Sequence, residues 1–438
     1  MRIGGAALVP NAEGPAPNRW LIAVACVTVQ TGLGTVYSWS VYRRPLSEAF
    51  GWSITEVTMT FSVLILTAGF AAFLGGVWMR RSGPRRVAVC AGVLYGAGLG
   101  LASLSADRLP LLYLTYGLIG GAGVGLGYIV PIATLIKWFP DRTGFITGVA
   151  VSGVAAGSLV ASPIAARLIE SIGVLDTFAV LGAVYLILVV GAALALRDPP
   201  AGYRPAGWTP PGEGGDSERR TFDLRGALRT WQWYLLWAIF FLNVTAGVGF
   251  ISEGAPMARD VVGIGAIAAA GLVGTAFIGD AVGRLAWPWL SDAVGRRTVL
   301  VAIFLIQAGL FVSLSLTSSP AAFAVLGALI LFCYGGSSGT MAAATSDLFG
   351  SRNVGPIYGL MLTAWGFGGV LGPLIIAILR ESTGSYTSAL QVIAAIMLAS
   401  VALPLAIRPP QAGLARARNA PSSRVASDGE RERRRPSG

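Results

Sequence analysis

Histidine is missing from all 438 residues, and cysteine occurs only three times, at Cys26, Cys90 and Cys333. Without histidine the commonest metal ligand and proton shuttle are gone, so any proton chemistry falls to carboxylates. The three cysteines lie inside apolar stretches with no CxxC spacing, which excludes a disulfide framework and a thiolate metal pair; they read as small buried hydrophobes. Charge is also scarce, at 12% of residues against about a quarter in soluble domains. No GxxxxGK[ST] loop is present, which removes an ATP-driven pump, and no nucleophile and base pair is visible. We therefore expect no enzyme activity, catalytic residue, metal or cofactor. The opening MRIGGAALVPNAEGPAPNRW has no apolar run before Trp20, which argues against a cleaved signal peptide.

What is abundant is apolar: 54% of the chain is hydrophobic and 59 residues are glycine. This composition is that of an all-α integral membrane protein whose helices approach closely through small residues. Apolar stretches of the length that crosses roughly 30 Å of hydrocarbon occur near 20–41, 57–79, 87–105, 110–136, 144–167 and 174–196. A Pro-, Gly- and charge-rich break follows, too polar to pack a core. Six more stretches lie near 231–252, 264–290, 298–317, 320–345, 355–379 and 386–407. The expected organisation is a disordered tail 1–19, a six-helix bundle 20–197, a cytoplasmic linker 198–230, a second bundle 231–407 and a disordered Arg-rich tail 408–438.

The net charge of +11 points to topology, because the basic residues sit in gaps between apolar runs; no nucleic-acid partner is expected. With both termini inside, the short inside loops carry nine Lys or Arg against six outside. Both termini are therefore expected to be cytoplasmic. The halves also repeat. Phe139 and Phe349, Arg142 and Arg352, Gly148 and Gly359, and Gly83 and Gly295 are related by offsets of 210 to 212 residues. A common offset across four landmarks indicates a duplicated six-helix unit.

The pentapeptide DAVGR occurs twice, at 280–284 and 292–296. The second copy falls where the eighth stretch leaves the membrane; the family resemblance given below implies that Asp292 and Arg296 form a gating loop there that pairs charges and caps helices. In the first half Arg80 stands where the matching loop would carry an acid. Arg284 lies eight residues before Asp292, about 12 Å deeper on a helical rise. An arginine there costs about 2.5–3.5 kcal/mol, so it faces protein or a cavity rather than lipid. Asp280 and Arg284, at i and i+4, share one helix face and can pair. Together they read as an anion site with a proton-sensitive partner.

Further segments carry a specific resemblance: YSWSVYRRPL (37–46), LTYGLIGGAGVGLGY (114–128), KWFPDRTGF, GRLAWPWLSDAVGRR and YGLMLTAWGFGGVLGPL (358–374). On these the chain resembles a major facilitator superfamily transporter of the oxalate/formate antiporter family, related to the monocarboxylate transporters. The resemblance covers about 20–407. It implies the superfamily fold, twelve transmembrane helices in two six-helix halves around a central cavity. It also implies a multi-pass protein of the cell membrane, in bacteria the cytoplasmic membrane, acting as a monomer.

The resemblance assigns Arg284 as the substrate-carboxylate anchor and Asp280 as the proton-coupling residue. Tyr37 and Tyr128 match aromatic positions lining the family's cavity, and Tyr334 and Asn243 lie mid-span as further lining candidates. Oxalate exchangers of this family carry a Lys where this chain has Trp365. One cation instead of two leaves a dianion undercompensated, so a monocarboxylate such as lactate, pyruvate or formate is the better match. The expected function is proton-coupled symport of small monocarboxylates by alternating access, with a small carboxylate anion, a proton and the lipid bilayer as partners. An oxalate/formate-type exchanger is the alternative, and a transporter-like membrane sensor a more distant one.

Overall fold

The computed structural model describes residues 18–200, 202–205 and 222–410. The expected tails 1–19 and 408–438 and the middle of the expected linker therefore lie largely outside the described residues. Among these, every regular element is helical. Ten helices are long and apolar enough to cross a membrane. One of them, Thr55–Ala102, has 48 residues, roughly 70 Å at 1.5 Å per residue and more than twice the hydrocarbon thickness. Gly83 divides it, with φ 77° and ψ 169° inside the helical run. Pro84 then opens the second arm, where a missing N–H is harmless.

With that division, and with the 29-residue helix Ala266–Val294, the crossings number twelve. The first is Arg19–Ser38, and the second and third are the two arms of Thr55–Ala102. The fourth, fifth and sixth are Leu109–Trp138, Thr143–Ile172 and Val174–Ala193. The seventh is Trp231–Val262, the eighth Ala266–Val294 and the ninth Arg296–Leu316. The tenth, eleventh and twelfth are Pro320–Phe349, Ser351–Thr383 and Tyr386–Leu405. Each apolar stretch read from sequence overlaps one of these helices, and several helices, Trp231–Val262 and Ser351–Thr383 among them, continue well past it. The turns at 80–86, 139–142, 295–297 and 350–353 lie on one face, called here the Arg-rich face. The opposite face is called distal.

Besides the first span, which passes through a 3-10 turn over Thr35–Ser38, two spans are irregular at depth. The fourth winds as a π-helix over Tyr113–Gly120. The eleventh is interrupted at Leu362, between Val354–Met361 and Thr363–Thr383. The Thr363 hydroxyl donates to the Leu360 carbonyl at 2.7 Å there. Irregular backbone at this depth survives only where protein covers it.

Glycine sets the closest approaches. Gly279 and Gly283 of the eighth span lie against the Ala328 and Phe332 carbonyls of the tenth. Gly335, Gly336 and Gly339 return the contact against Asp280, Trp287 and Pro288. With no side chain at these five positions the two backbones interlock, the small-residue packing that joins helices in lipid.

The described ends of the expected linker pack against the helices. Lys137 pairs with Asp198 at 2.7 Å, the Trp138 indole donates to the Arg197 carbonyl at 2.9 Å, and Trp138 meets Tyr203 edge-on at 4.8 Å. At the far end Leu224–Leu228 is helical behind an Asp223 cap. Phe222 there bonds the Phe349 carbonyl through its N–H at 3.0 Å. Proline and glycine denied this segment a core of its own, but single aromatic residues anchor it to the ends of the fourth and tenth spans.

Candidate functional site

Asp280 lies fourteen residues from either end of the eighth span. Arg284, one turn on, donates from Nε to Asp280 Oδ2 at 2.9 Å. Only 3% of Arg284 and 4% of Asp280 is exposed. The i,i+4 spacing stacks the two side chains on one helix face, and that face is turned toward protein. Gly335 of the tenth span lies so close that a Cβ there would collide with the Asp280 backbone oxygen and with Oδ1. Asp280 Oδ1 accepts no hydrogen bond from the described residues.

Aromatic rings from both halves surround the pair. The Arg284 guanidinium sits 5.9 Å from the Tyr334 ring centroid, within cation–π range. Tyr37 of the first span and Tyr128 of the fourth stand within electrostatic reach of Arg284. Tyr37 is half-buried and edge-on to Phe61 at 6.2 Å. Trp365 stacks on Tyr128 with centroids 6.0 Å apart and planes 12° from parallel. Tyr334 lies beside Trp365 as well. Of the residues singled out from sequence, the structure thus brings together Arg284, Asp280, Tyr37, Tyr128, Tyr334 and Trp365.

Asn243 is placed elsewhere. It is fully buried in the seventh span, and its amide donates to Gln307 of the ninth span at 2.8 Å. Gln307 in turn donates to the Ile330 carbonyl at 3.4 Å. This amide bridge ties the seventh, ninth and tenth spans together, and Asn243 makes no contact with the Arg284 cluster among the described interactions.

Three residues at the site escaped the sequence reading. Gln30 is fully buried and donates to the Tyr128 carbonyl at 3.2 Å, which holds the fourth span against the first. Tyr358 donates its hydroxyl to the Ser338 carbonyl at 3.0 Å, beside the glycines of the tenth span. Gly335 is the third. A lone Gln in an apolar stretch was the available signal for Gln30, since an amide at that depth must find a partner. Nothing separated Gly335 from the chain's other glycines.

Asp292 and Arg296 occupy the seam between the halves on the Arg-rich face. Asp292 accepts from the Gly144 N–H at 2.9 Å and the Phe145 N–H at 2.8 Å. These are free donors of the first turn of the fifth span, where a carboxylate also meets the helix dipole. Arg296 pairs with Asp292 at 2.6 Å and Asp347 at 2.9 Å, and donates to Thr143 Oγ1 at 2.9 Å. Deeper in the seam the Thr147 hydroxyl reaches the Gly339 carbonyl at 3.2 Å, and a Cβ on Gly148 would sit 2.7 Å from the Arg284 carbonyl oxygen. A second seam joins the second and eleventh spans, where Gly76 lies against the Gly355 carbonyl and a Cβ on Gly69 would sit 3.1 Å from that of Leu362. These contacts run from the Arg-rich face up to the level of Arg284.

The family model described as Major Facilitator Superfamily matches residues 20–278 and 255–436. The oxalate:formate antiporter of Oxalobacter formigenes is 28% identical over 406 residues, covering 90% of this chain and 93% of the relative. Monocarboxylate transporter 13 of Bos taurus is 31% identical over 391 residues, covering 87% of each. Among solved structures, FucP, a Major Facilitator Superfamily transporter in the outward conformation, superposes with a TM-score of 0.67 at 15% identity, covering 88% of this chain and 97% of that one.

Proposed function

The chain belongs to the Major Facilitator Superfamily and is a membrane transporter of that fold, and on that premise we propose that it carries small monocarboxylates together with protons. The observation that carries this reading is the buried Asp280–Arg284 pair, one cation and one anion enclosed by aromatic rings at mid-membrane depth. Arginine keeps its charge under all conditions of interest. Asp280 can lose its charge by accepting a proton.

Charge balance then couples the two solutes. With Asp280 ionised the site is neutral, and an entering carboxylate would leave an uncompensated negative charge in a low-dielectric enclosure. A proton on Asp280 releases the guanidinium, whose planar edge suits a carboxylate. One proton and one monoanion restore neutrality, and the reverse sequence discharges both. A dianion would need a second cation, and the site offers Trp365 at that place. Lactate, pyruvate and formate fit this balance better than oxalate. Tyr37, Tyr128 and Tyr334 supply hydroxyls for the remaining substrate oxygens.

In the same reading 20–197 and 231–407 are the two rocking units, joined by the linker 198–230. The Arg-rich face is cytoplasmic, in bacteria facing the cell interior, and the protein works as a monomer. Asp292 and Arg296 hold the cytoplasmic seam shut in the conformer described.

A second reading, anion exchange without protons, is favoured by the similarity to an oxalate:formate antiporter. Uptake of radiolabelled lactate, formate and oxalate into proteoliposomes, with and without an inward proton gradient, separates the two. We expect lactate uptake to exceed oxalate uptake and to accumulate with the gradient. Oxalate uptake faster than lactate uptake would overturn the substrate assignment, and indifference to the gradient would overturn the coupling.

A further inference from the structure

The two equivalent turns on the Arg-rich face are neutralised in different ways. In the second half the turn at Gly295, φ 90°, carries Asp292, Arg296 and Arg297. Its acid is fully used, on two helix amides and on Arg296. In the first half the turn at Gly83, φ 77°, reads RRSGPRR and carries four arginines and no acid. The place of Asp292 is taken by Arg80.

Arg80, Arg81, Arg85 and Arg86 are all exposed, and none makes an ion pair or side-chain hydrogen bond with another described residue. The left-handed Gly83 folds the chain back on itself, so the two arginine pairs flank a single tight turn. That turn also begins the third span, whose first amides point their positive end outward. Four cations and a helix N-terminus share one spot with no counter-charge from the described residues.

The surroundings identify the missing anion's carrier. Just inside the turn, Leu74, Val77 and Trp78 of the second span are 60%, 37% and 40% exposed. Exposed aliphatic residues followed by a Trp and then by arginines trace the passage from acyl chains to headgroups. A ligand there must present negative charge at the headgroup level and hydrocarbon immediately below it.

We infer that the RRSGPRR turn is a binding site for the headgroup of an anionic phospholipid, with the acyl chains lying along Leu74 and Trp78. Simple topology asks only for positive charge on this face, which the linker arginines also supply. A lipid site asks for these four together.

The test uses the full-length protein in detergent, with lipid retention counted by native mass spectrometry, and does not depend on the identity of the transported solute. Phosphatidylglycerol should be retained in preference to phosphatidylcholine. Each arginine removed should lower retention by about fivefold, the worth of one basic residue at an anionic surface. The variant R80Q/R81Q/R85Q/R86Q should therefore lose it entirely, and R80D, which restores the acid of the other half, should weaken it while disturbing the turn least. R225Q/R229Q, on the linker helix of the same face, should retain lipid like the wild type. Equal retention of the two lipids overturns the inference. So does equal loss in R225Q/R229Q, which would reveal a diffuse charge effect. Displacement of the lipid by millimolar inorganic phosphate would reassign the turn to free anions.

Discussion

Trp365 of the second half lies flat on Tyr128 of the first, 6.0 Å between centroids, directly beside the only buried ion pair among the described residues. In the proposed function its place is the one a second cation would take. Trp365→Lys should raise the ratio of oxalate to lactate uptake by roughly tenfold or more, since a hydrogen bond to a charged group is worth about 1.5–3 kcal/mol. Trp365→Phe should keep the wild-type preference. Competition uptake in proteoliposomes reads both ratios, and an unchanged ratio in Trp365→Lys would remove the electrostatic account of selectivity.

Asp280→Asn leaves a buried guanidinium with no counter-charge, whereas Arg284→Gln leaves a carboxyl that can neutralise itself by taking a proton. The first should destabilise by about 3–5 kcal/mol, the cost of breaking a buried pair from one side, and the second by less. The double variant Asp280→Asn/Arg284→Gln should recover most of the stability and none of the transport. Thermal unfolding in detergent, paired with uptake, reads the difference.

The same pair fixes the sign of the pH response. Protonated Asp280 is the form that frees Arg284, so wild-type uptake should rise as pH falls on the loading side. Asp280→Asn mimics the protonated form permanently and should give a flat profile, with exchange of labelled for unlabelled lactate retained. A wild-type slope surviving in Asp280→Asn would place the coupling proton elsewhere.

A methyl group distinguishes a glycine at the site from one outside it. Gly335→Ala would thrust Cβ into the Asp280 carboxylate and backbone, and should abolish most uptake and lower the melting temperature. Gly309→Ala on the ninth span meets nothing within 4 Å. It should be neutral or stabilise by up to about 1 kcal/mol, the helix preference of Ala over Gly.

Asp292→Ala removes the cap from the fifth span and frees Arg296, a loss of about 1–2 kcal/mol at the seam. That is enough to shift an equilibrium between open and closed seams by roughly 5- to 30-fold. Spin labels at exposed Arg142 and Arg297, one on each half, should report a longer distance on the Arg-rich face in the variant. Identical distance distributions would show that the cap does not hold the halves together.

Most of the architecture was legible because lipid imposes a length and an apolar composition on every crossing. The eighth span could be read down to Asp280 and Arg284, since charge at mid-membrane depth is rare enough to demand a purpose. What remained hidden depends on the partner across a seam. That Asp292 meets the Gly144 and Phe145 amides, 147 residues or more away in sequence, follows only from how the halves dock. Asn243 shows the limit from the other side. Its depth marked it as important, but depth alone does not say which face of the seventh span it occupies, and it serves packing through Gln307. The π-helical turn of the fourth span and the interruption at Leu362 were equally silent, because both are built from ordinary apolar and small residues.

The interlocked glycines of the eighth and tenth spans have a practical corollary for anyone who wishes to watch this molecule move. Two backbones meshed through Gly279, Gly283, Gly335, Gly336 and Gly339 cannot slide past one another without a steric clash. A probe on each of these two helices would therefore return one constant separation throughout the transport cycle, giving the protein a built-in ruler against which every displacement between the halves can be calibrated.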